Sequence, residues 1–221
     1  MKLKELENIL KSGDYNKIKP MLRMEVRNKS ILHDSTYYNI IVGDIVSVVT
    51  VHAVLDNERV ATCVLTKNFI DTIDVSISQL ISDATHNTTT HFKLATLSDI
   101  AKSILKHQDT THCKEYTLDC IDTLVSSDEP LECIVVVTID SITRVSILQF
   151  SDKLQYIFNK IGDYYIIPSS LYEVMIIPTS KIDDIDYINT LIEYVNNTTV
   201  KDRDVLGYKL LKYDSNGLSV C

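Results

Sequence analysis

The chain has 221 residues, 45 % of them hydrophobic and 24 % charged, so it is long enough to bury a core without disulfide or metal support. Asp and Glu outnumber Lys and Arg by 30 to 22, which gives a formal net charge of -8. Because binding to a phosphate backbone depends on clustered Lys and Arg, this balance argues against nucleic acid as the partner.

Five cysteines at irregular spacing indicate free thiols in a reducing cytoplasm, and the amphipathic start KLKELENILKSG is not a signal peptide. The most apolar run, residues 40–55, contains Asp44 and His52 and is too short and too polar to span a bilayer. We therefore expect a cytoplasmic protein with no membrane partner.

The N-terminal part predicts helices followed by a hairpin. Apolar residues at helical spacing predict a helix over residues 2–11 that ends at Gly13, and a second helix is expected over residues 14–28. Two runs rich in Val and Ile, over residues 40–55 and 59–66, are separated by a polar turn and predict an antiparallel pair of strands.

Two further helices are expected before the middle of the chain. Ser76 and Gln79 have the spacing of a capping box, and the helix that they begin ends near His86 and Asn87. A second start signal at Thr96 predicts a helix that reaches about residue 107. The polar connector that follows, residues 108–114, is the best boundary between two halves.

The C-terminal part predicts strands that alternate with two helices. Strands are expected over residues 116–125, 131–140, 144–150, 164–167, 173–177 and 205–214. One helix begins at a capping Ser151 and ends at Gly162. The other has Asp184 as its N-cap, and its apolar face is expected to comprise Ile185, Ile188, Leu191, Ile192 and Val195.

Together these patterns predict an α+β fold in which antiparallel hairpins pack against helices. The order strand, polar turn, capped helix and Asn-Thr-Thr occurs twice, ending at Asn87 and at Asn197. Two explanations of this repeated order are open. It is either a duplication, which would produce two related lobes, or a coincidence of common α+β patterns. The predicted division is a helical segment over residues 1–30, lobes over 31–107 and 114–215, and a tail over 216–221.

Two pieces of the chain carry a resemblance to a known family. They are VATCVLTKNFIDTIDVSISQLISDATHNT and DYYIIPSSLYEVMIIPTSKIDDIDYINTLIEYVNNTTV. They resemble a domain-of-unknown-function family of anaerobic Gram-positive bacteria and their mobile elements and phages, in which the motif Y-I-L-P-S-S-x-H-E-V-I-L-L-P occurs. The resemblance covers residues 44–213, and its most specific part is residues 167–174.

The chain departs from the family pattern at two places. Tyr172 stands where the family usually has His, and residues 69–75 lack the family's Trp-Gly pair. If that His were catalytic, this chain would have lost it. The family has no activity that can be transferred, so the resemblance implies a fold and leaves the function open.

The candidate binding site is the polar cluster Ser169, Ser170, Tyr172 and Glu173, which lies between two apolar strands. Hydroxyls and a carboxylate beside one turn could form a small polar site. The alternative is turn chemistry, since Pro fixes φ and Ser side chains bond to the nearby backbone.

Metal and cofactor sites are not expected. His107, His112, Cys113 and Cys120 lack the paired spacing of a zinc site, and His52, within an apolar strand, is expected to be a packed core residue. The five glycines are isolated and form neither a P-loop nor a dinucleotide-binding motif.

Three hypotheses of function follow. The leading hypothesis is a non-enzymatic protein, encoded by a phage or mobile element, that binds a host factor or a small ligand. The alternative is a small hydrolase or transferase that uses Glu173 with Ser169 or Ser170. A third is an assembly protein that forms oligomers through an exposed sheet edge.

Overall fold

The computed structural model describes residues 1–56, 59–88, 92–96, 116–117, 121, 133–138, 147–171 and 173–221. Over these residues the predicted α+β class is confirmed, since helices pack against two sheets whose strand pairs are all antiparallel. Among the same residues, no helix has the length and apolarity that crossing a membrane requires.

The chain begins with helices α1 (Leu3–Ser12) and α2 (Tyr15–Ile18), which a 3-10 helix over Lys19–Met21 follows. The predicted end of α1 is confirmed. Gly13 has a left-handed φ of 64°, and its N–H donates to the Leu10 carbonyl, which is the usual glycine cap of a helix.

The second helix predicted over residues 14–28 is wrong beyond Met21, because Leu22–Asn28 form strand β1. The sequence LRMEVRN has the period of two that a strand requires, and the prediction overlooked it. Leu22 and Met24 pack into a hydrophobic core, whereas Glu25 projects from the opposite face. The N-terminal segment over residues 1–30 is therefore only partly helical.

The first sheet is organised around its long strand β3 (Ile45–Val54). Strand β1 pairs along one edge of β3, and β2 (Tyr38–Val42) and β4 (Val60–Val64) divide the other edge between them. The predicted pairing of the two apolar runs is confirmed between β3 and β4. The first run, however, contains two strands and not one.

Gly43 is the reason for this division. Its φ of 54° makes the turn between β2 and β3. A Cβ at this position would lie 2.9 Å from Val220 Cγ2, so a larger residue would also force the Val220 side chain to move.

Helices α3 (Lys67–Ile70) and α4 (Ile77–Asn87) follow the first sheet. The predicted cap of α4 is confirmed, because the Ser76 hydroxyl accepts a hydrogen bond from the Gln79 N–H at 3.2 Å. The core between these helices, α1 and the first sheet includes Leu6, Ile18, Leu22, Met24, Val49, Val51, Ile70, Leu80 and Ala84.

The second sheet has seven described strands in the order β11-β10-β8-β9-β7-β5-β6. These strands are β5 (Phe92–Thr96), β6 (Tyr116–Thr117), β7 (Ile134–Thr138), β8 (Tyr164–Ile167), β9 (Glu173–Pro178), β10 (Leu211–Asp214) and β11 (Gly217–Val220). The hairpin of β8 and β9 confirms the two strands predicted there.

Several predicted elements of this half need correction. Ile121 is helical and not in a strand, and Ile147–Gln149 form a 3-10 helix where a strand was expected. Only the end of the strand predicted over residues 205–214 is extended. The expected C-terminal tail forms edge strand β11. The helix predicted from Thr96 to residue 107 and the connector over 108–114 lie outside the described residues, except Thr96, which ends β5.

Helix α5 (Ser151–Ile161) ends at Gly162 as predicted, but Ser151 is its first helical residue and does not cap it. The last helix, α6 (Ile185–Thr198), begins as predicted, because the Asp184 carboxylate accepts from the Tyr187 N–H at 2.9 Å. Asn87 and Asn197, at which the repeated sequence pattern ends, are both helical, and the C-caps of their helices are Thr88 and Thr199.

The buried face of α6 differs from the predicted one. Leu191 and Val195 are 43 % and 37 % exposed, whereas Asn189 and Asn196 are buried beside Ile192. Asn189 Oδ1 accepts from the Leu210 N–H, and Asn196 Nδ2 donates to the Gly207 carbonyl, each at 2.7 Å. Polar contacts to the segment before β10 therefore determine which side of α6 faces inward.

The two sheets are packed together. The core of the second sheet also contains Val26, Val42 and Ile45, which belong to the first sheet. Strand β5, which lies in the predicted lobe 31–107, pairs with β7 of the predicted lobe 114–215. The division into lobes and the duplication remain predictions.

Candidate functional site

The structure brings part of the predicted polar cluster together at the turn between β8 and β9. Ser169 Oγ donates to Glu173 Oε1 at 3.0 Å, and the Ser170 N–H donates to the Glu173 carbonyl at 3.1 Å. Ser169, Ser170 and Glu173 are all partly exposed. Tyr172 lies outside the described residues. A hydroxyl and a carboxylate are thus in direct contact, in a position that solvent reaches.

The same turn is also a packing element. Leu171 is fully buried, and its N–H donates to the Asp204 carbonyl at 2.9 Å. A Cβ on Gly207 would lie 3.1 Å from Pro168 and 3.2 Å from Ile45, so three segments of the chain meet closely here. Both interpretations of this motif, a polar site and turn chemistry, have a structural counterpart.

The other sequence candidates give no site among the described residues. His107, His112, Cys113 and Cys120 lie outside those residues, and the described part of the chain holds no cluster of His, Cys, Asp and Glu that could bind a metal ion. His33 and His86 are exposed, His33 in a connector and His86 in the last turn of α4. His52 is packed as predicted, with 8 % of its side chain exposed, but it contacts a carboxylate that the sequence did not reveal.

A cavity of about 440 Å³ lies between the first sheet, α4, the start of α5 and the β10–β11 hairpin. Asn39 and Thr85 at its wall are exposed, so the cavity is open to solvent. Its described lining, most of it apolar, consists of Met24, Asn39, Ile41, Ser47, Ile81, Thr85, Thr88, Leu148, Gln149, Phe150, Ser151, Leu154, Tyr213, Gly217 and Leu218.

None of these lining residues carries a charge. An ionic ligand would lose its hydration without gaining an opposite charge from them, which is costly. The wall therefore suits an uncharged ligand whose surface is mainly apolar.

The start of α5 holds an unsatisfied hydrogen-bond donor. Among the described residues, the buried Gln149 Nε2 has no hydrogen-bond partner. The N–H groups of Lys153 and Leu154 donate to the Phe150 carbonyl, and Ser151 and Asp152 in the first turn are exposed. Buried amide groups normally have a partner, so Gln149 Nε2 is a donor left unsatisfied beside the cavity.

Thr88, in contrast, is already committed to the fold. Its hydroxyl accepts from the Met24 N–H at 2.8 Å and donates to the Ala84 carbonyl at 2.6 Å. These two hydrogen bonds hold the end of α4 against β1 at the cavity wall. Thr88 thus shapes the cavity and has no free donor for a ligand.

No pattern in the sequence indicated this cavity. Its wall comes from four segments that are far apart in the chain, and each contributes only two to five side chains. Gln149 was assigned to a strand, in which its side chain would have had no special position. Only the uncapped helix start after Phe150 could have drawn attention to this region.

No curated protein and no solved structure was found to match the chain. A family of unknown function (DUF5688) does match, over residues 2–215. This match extends beyond the residues on which the resemblance was based and covers every described strand except β11. The chain therefore belongs to this family of unknown function, DUF5688.

Proposed function

We propose that the protein binds a small, uncharged and mainly apolar molecule in the cavity between its two sheets. The observation that carries this proposal is the open, uncharged and mainly apolar cavity of about 440 Å³, whose lining includes Gln149, with a buried Nε2 that has no hydrogen-bond partner among the described residues. Cavities of roughly 300–1,000 Å³ with few, well-placed polar groups are typical of small-molecule sites.

The ligand needs an acceptor atom, such as a carbonyl or ether oxygen, that reaches Gln149 Nε2. Its apolar part would contact Ile81, Leu148 and Leu154, which lie around the cavity. The proposal is therefore more specific than hydrophobic binding, because it predicts a preference between molecules of equal size.

Methyl resonances of Ile81, Leu148 and Leu154 give the test. Benzamide and benzoate have nearly the same shape, but only benzoate is charged. We expect benzamide to shift these resonances saturably and benzoate to bind more weakly. The absence of a saturable shift with benzamide and with a panel of neutral aromatic lactones would contradict the proposal.

The substitution Gln149→Met removes the donor and keeps the length of the side chain. Loss of one neutral hydrogen bond of about 0.5–1.5 kcal/mol should weaken binding about two- to tenfold. Gln79→Met is the control, because Gln79 is exposed on α4 and does not line the cavity. Equal effects of the two substitutions would argue that Gln149 does not contact the ligand.

A second candidate function is a hydrolase or transferase centred on the β8–β9 turn. The contact of Ser169 Oγ with Glu173 Oε1 favours it, since a carboxylate that accepts a hydroxyl proton can activate a nucleophile. This function would be supported by turnover of an ester or phosphoester from a panel, if that turnover is abolished by Ser169→Ala or Glu173→Gln and retained in Ser170→Ala. Turnover unaffected by all three substitutions would exclude the turn as a catalytic site.

We also propose a reducing, cytoplasmic location. Among the described residues, Cys63, Cys133 and Cys221 are unbonded thiols, as that compartment favours. From the resemblance alone we infer an origin in anaerobic Gram-positive bacteria or their mobile elements. On cell fractionation, we expect to recover the native protein in the soluble fraction with its thiols reduced. Recovery of the protein with disulfides would contradict the proposed location.

A further inference from the structure

The outer face of α6 carries a row of apolar side chains that solvent reaches. Tyr187, Leu191 and Tyr194 are 63 %, 43 % and 66 % exposed, and they follow one another at intervals of four and three residues. Such intervals place side chains along one stripe of a helix, and this kind of stripe is the seam by which two helices pack. Asn189 and Asn196 are buried on the opposite side of α6, so packing within the chain does not use the row.

Exposure of large apolar side chains is concentrated in this helix. Val195, beside the row, is a fourth such residue in α6, whereas α1 and α4 expose one each, Leu3 and Ile77. Single exposed apolar residues are normal on a protein surface, but a contiguous group marks an interaction site. Two of the four residues in α6 are tyrosines, whose rings combine apolar area with a polar hydroxyl and are enriched among the anchors of protein interfaces.

Carboxylates lie along one side of the row. Asp186 and Glu193 directly precede the two tyrosines and are seven residues apart, which is close to two turns, so they project from the same side of α6. Both are exposed, as are the two aspartates at positions 183 and 184. No Lys, Arg or His occurs within α6, and the nearest basic residues in the sequence, Lys181 and Lys201, lie beyond its two ends. The helix thus borders the row with negative charge only.

This charge selects between possible occupants of the row. A second copy of the chain would bring the same carboxylates and the same net charge of -8. An antiparallel pair of α6 helices would place the carboxylate sides of the two copies against each other, and a parallel pair would place their acidic starts together. Like charges face each other in both arrangements, which disfavours self-association, whereas a basic partner gains attraction.

We propose that the outer face of α6 docks a helical segment of another protein, one whose apolar stripe is bordered by Lys or Arg. The stripe packs on Tyr187, Leu191 and Tyr194, and the basic side chains pair with Asp186 and Glu193. Because α6 has 14 residues and is about 21 Å long, contact along it buries less than the roughly 1,200–2,000 Å² of a stable interface, so the complex is transient. No residue of α6 lines the cavity, so this inference does not depend on the function proposed for the cavity.

Titration of the protein with a model peptide tests the proposal. The probe is a peptide of Leu and Lys of about 18 residues, long enough to be helical, with its leucines at alternating intervals of three and four residues. We expect it to shift the backbone amide resonances of Tyr187, Leu191 and Tyr194 saturably, and we expect the same peptide with Glu in place of Lys to bind much more weakly.

Four results of this titration would overturn the proposal. They are the absence of a saturable shift, shifts spread over acidic residues outside α6, equal binding of the two peptides, and shifts of the same resonances when the protein alone is concentrated. The last result would assign the row to a second copy of the chain.

A substitution in the row tests the apolar contact. Tyr194→Ala should lower the affinity for the Leu-Lys peptide about tenfold or more, as expected for an aromatic anchor. Asn197→Ala is the control, because Asn197 is exposed on the same helix but outside the row. Both positions are exposed, so neither substitution should disturb the fold. Equal affinities of the two variants would show that the peptide does not contact the row.

Neutral substitutions test the charge. Asp186→Asn combined with Glu193→Gln should lower the affinity about threefold to tenfold at low salt. Glu5→Gln combined with Glu7→Gln changes the net charge equally at exposed positions of α1, and it should change the affinity less than about twofold. Equal losses would mean that the peptide responds to the charge of the whole protein and would overturn the proposal. Binding of benzamide in the cavity should be the same in all these variants, so the two proposals can fail separately.

Discussion

Replacement of Asn196 by Ala tests how the last helix is held against the second sheet. Asn196 is 2 % exposed, and its Nδ2 donates to the buried Gly207 carbonyl at 2.7 Å. The next residue, Asn197, is exposed on the same helix. The two residues have the same chemistry and nearly the same position in α6, so Asn197→Ala is a matched control.

The expected magnitude follows from the difference between the two sites. Both substitutions gain about 0.5 kcal/mol from the higher helix propensity of Ala. Only Asn196→Ala also loses a buried hydrogen bond and leaves a carbonyl without a partner, which costs about 1–3 kcal/mol. We therefore expect the free energy of unfolding of Asn196→Ala to be about 2 kcal/mol lower than that of Asn197→Ala.

Urea denaturation measures this difference. With a slope of about 2 kcal/mol per molar of urea, the midpoint of Asn196→Ala should lie about 1 M below that of the control, with the slope unchanged. Free energies of unfolding that agree within about 0.5 kcal/mol, the usual range of surface substitutions, would refute the argument. The position of α6 would then depend on its apolar contacts and not on the two asparagines.

Three further predictions concern the β8–β9 turn, a buried thiol and a carboxylate. Leu171→Ala should lower the free energy of unfolding by about 2–5 kcal/mol, because Leu171 is fully buried. Leu191→Ala is the control and should lower it by less than about 1 kcal/mol, because the Leu191 side chain is 43 % exposed. Similar losses of stability in urea denaturation would contradict the packing role of the turn. Burial raises the pKa of the Cys133 thiol to about 12. In the folded protein, iodoacetamide should therefore alkylate the exposed Cys221 much faster than Cys133. Equal rates in site-resolved mass spectrometry would contradict the burial of Cys133. The Tyr15 hydroxyl donates a hydrogen bond to the Asp83 carboxylate at 2.7 Å and holds the pKa of Asp83 below its usual range. This carboxylate therefore stabilises the fold above roughly pH 4, and its contribution is lost as the pH falls through the lowered pKa. Asp83→Asn should therefore reduce the loss of stability on acidification, and an unchanged acid profile would count against this assignment.

The sequence alone determined features that depend on atoms close together in the chain. The end of α1 at Gly13 and the starts of α4 at Ser76 and α6 at Asp184 were predicted from single residues. Each cap is satisfied by a backbone group three residues away, so the local sequence contains both partners. The predicted β8–β9 hairpin is local in the same sense.

The misassignment of β1 has a different cause. Its alternation was present in the sequence, but the residues are also compatible with the helix that precedes them, and β1 is stabilised by pairing with β3 more than fifteen residues away. Non-local pairing of this kind outweighs local propensity. The apolar pattern of α6 was likewise visible, yet Leu191 lies outside and Asn189 inside, because Leu210 offers an N–H that only a polar side chain can satisfy.

The cavity was decided only by the tertiary structure. The cavity arises where α4, the start of α5 and parts of both sheets meet, and Gln149 becomes an unpartnered donor only after these elements have packed. Glu25 and His52 are 27 residues apart and meet because β1 and β3 are neighbours. The sequence determined the class of the fold and the ends of several helices, since those depend on local composition and capping. The cavity depends on contacts between distant segments, which only the packing of the sheets brings together.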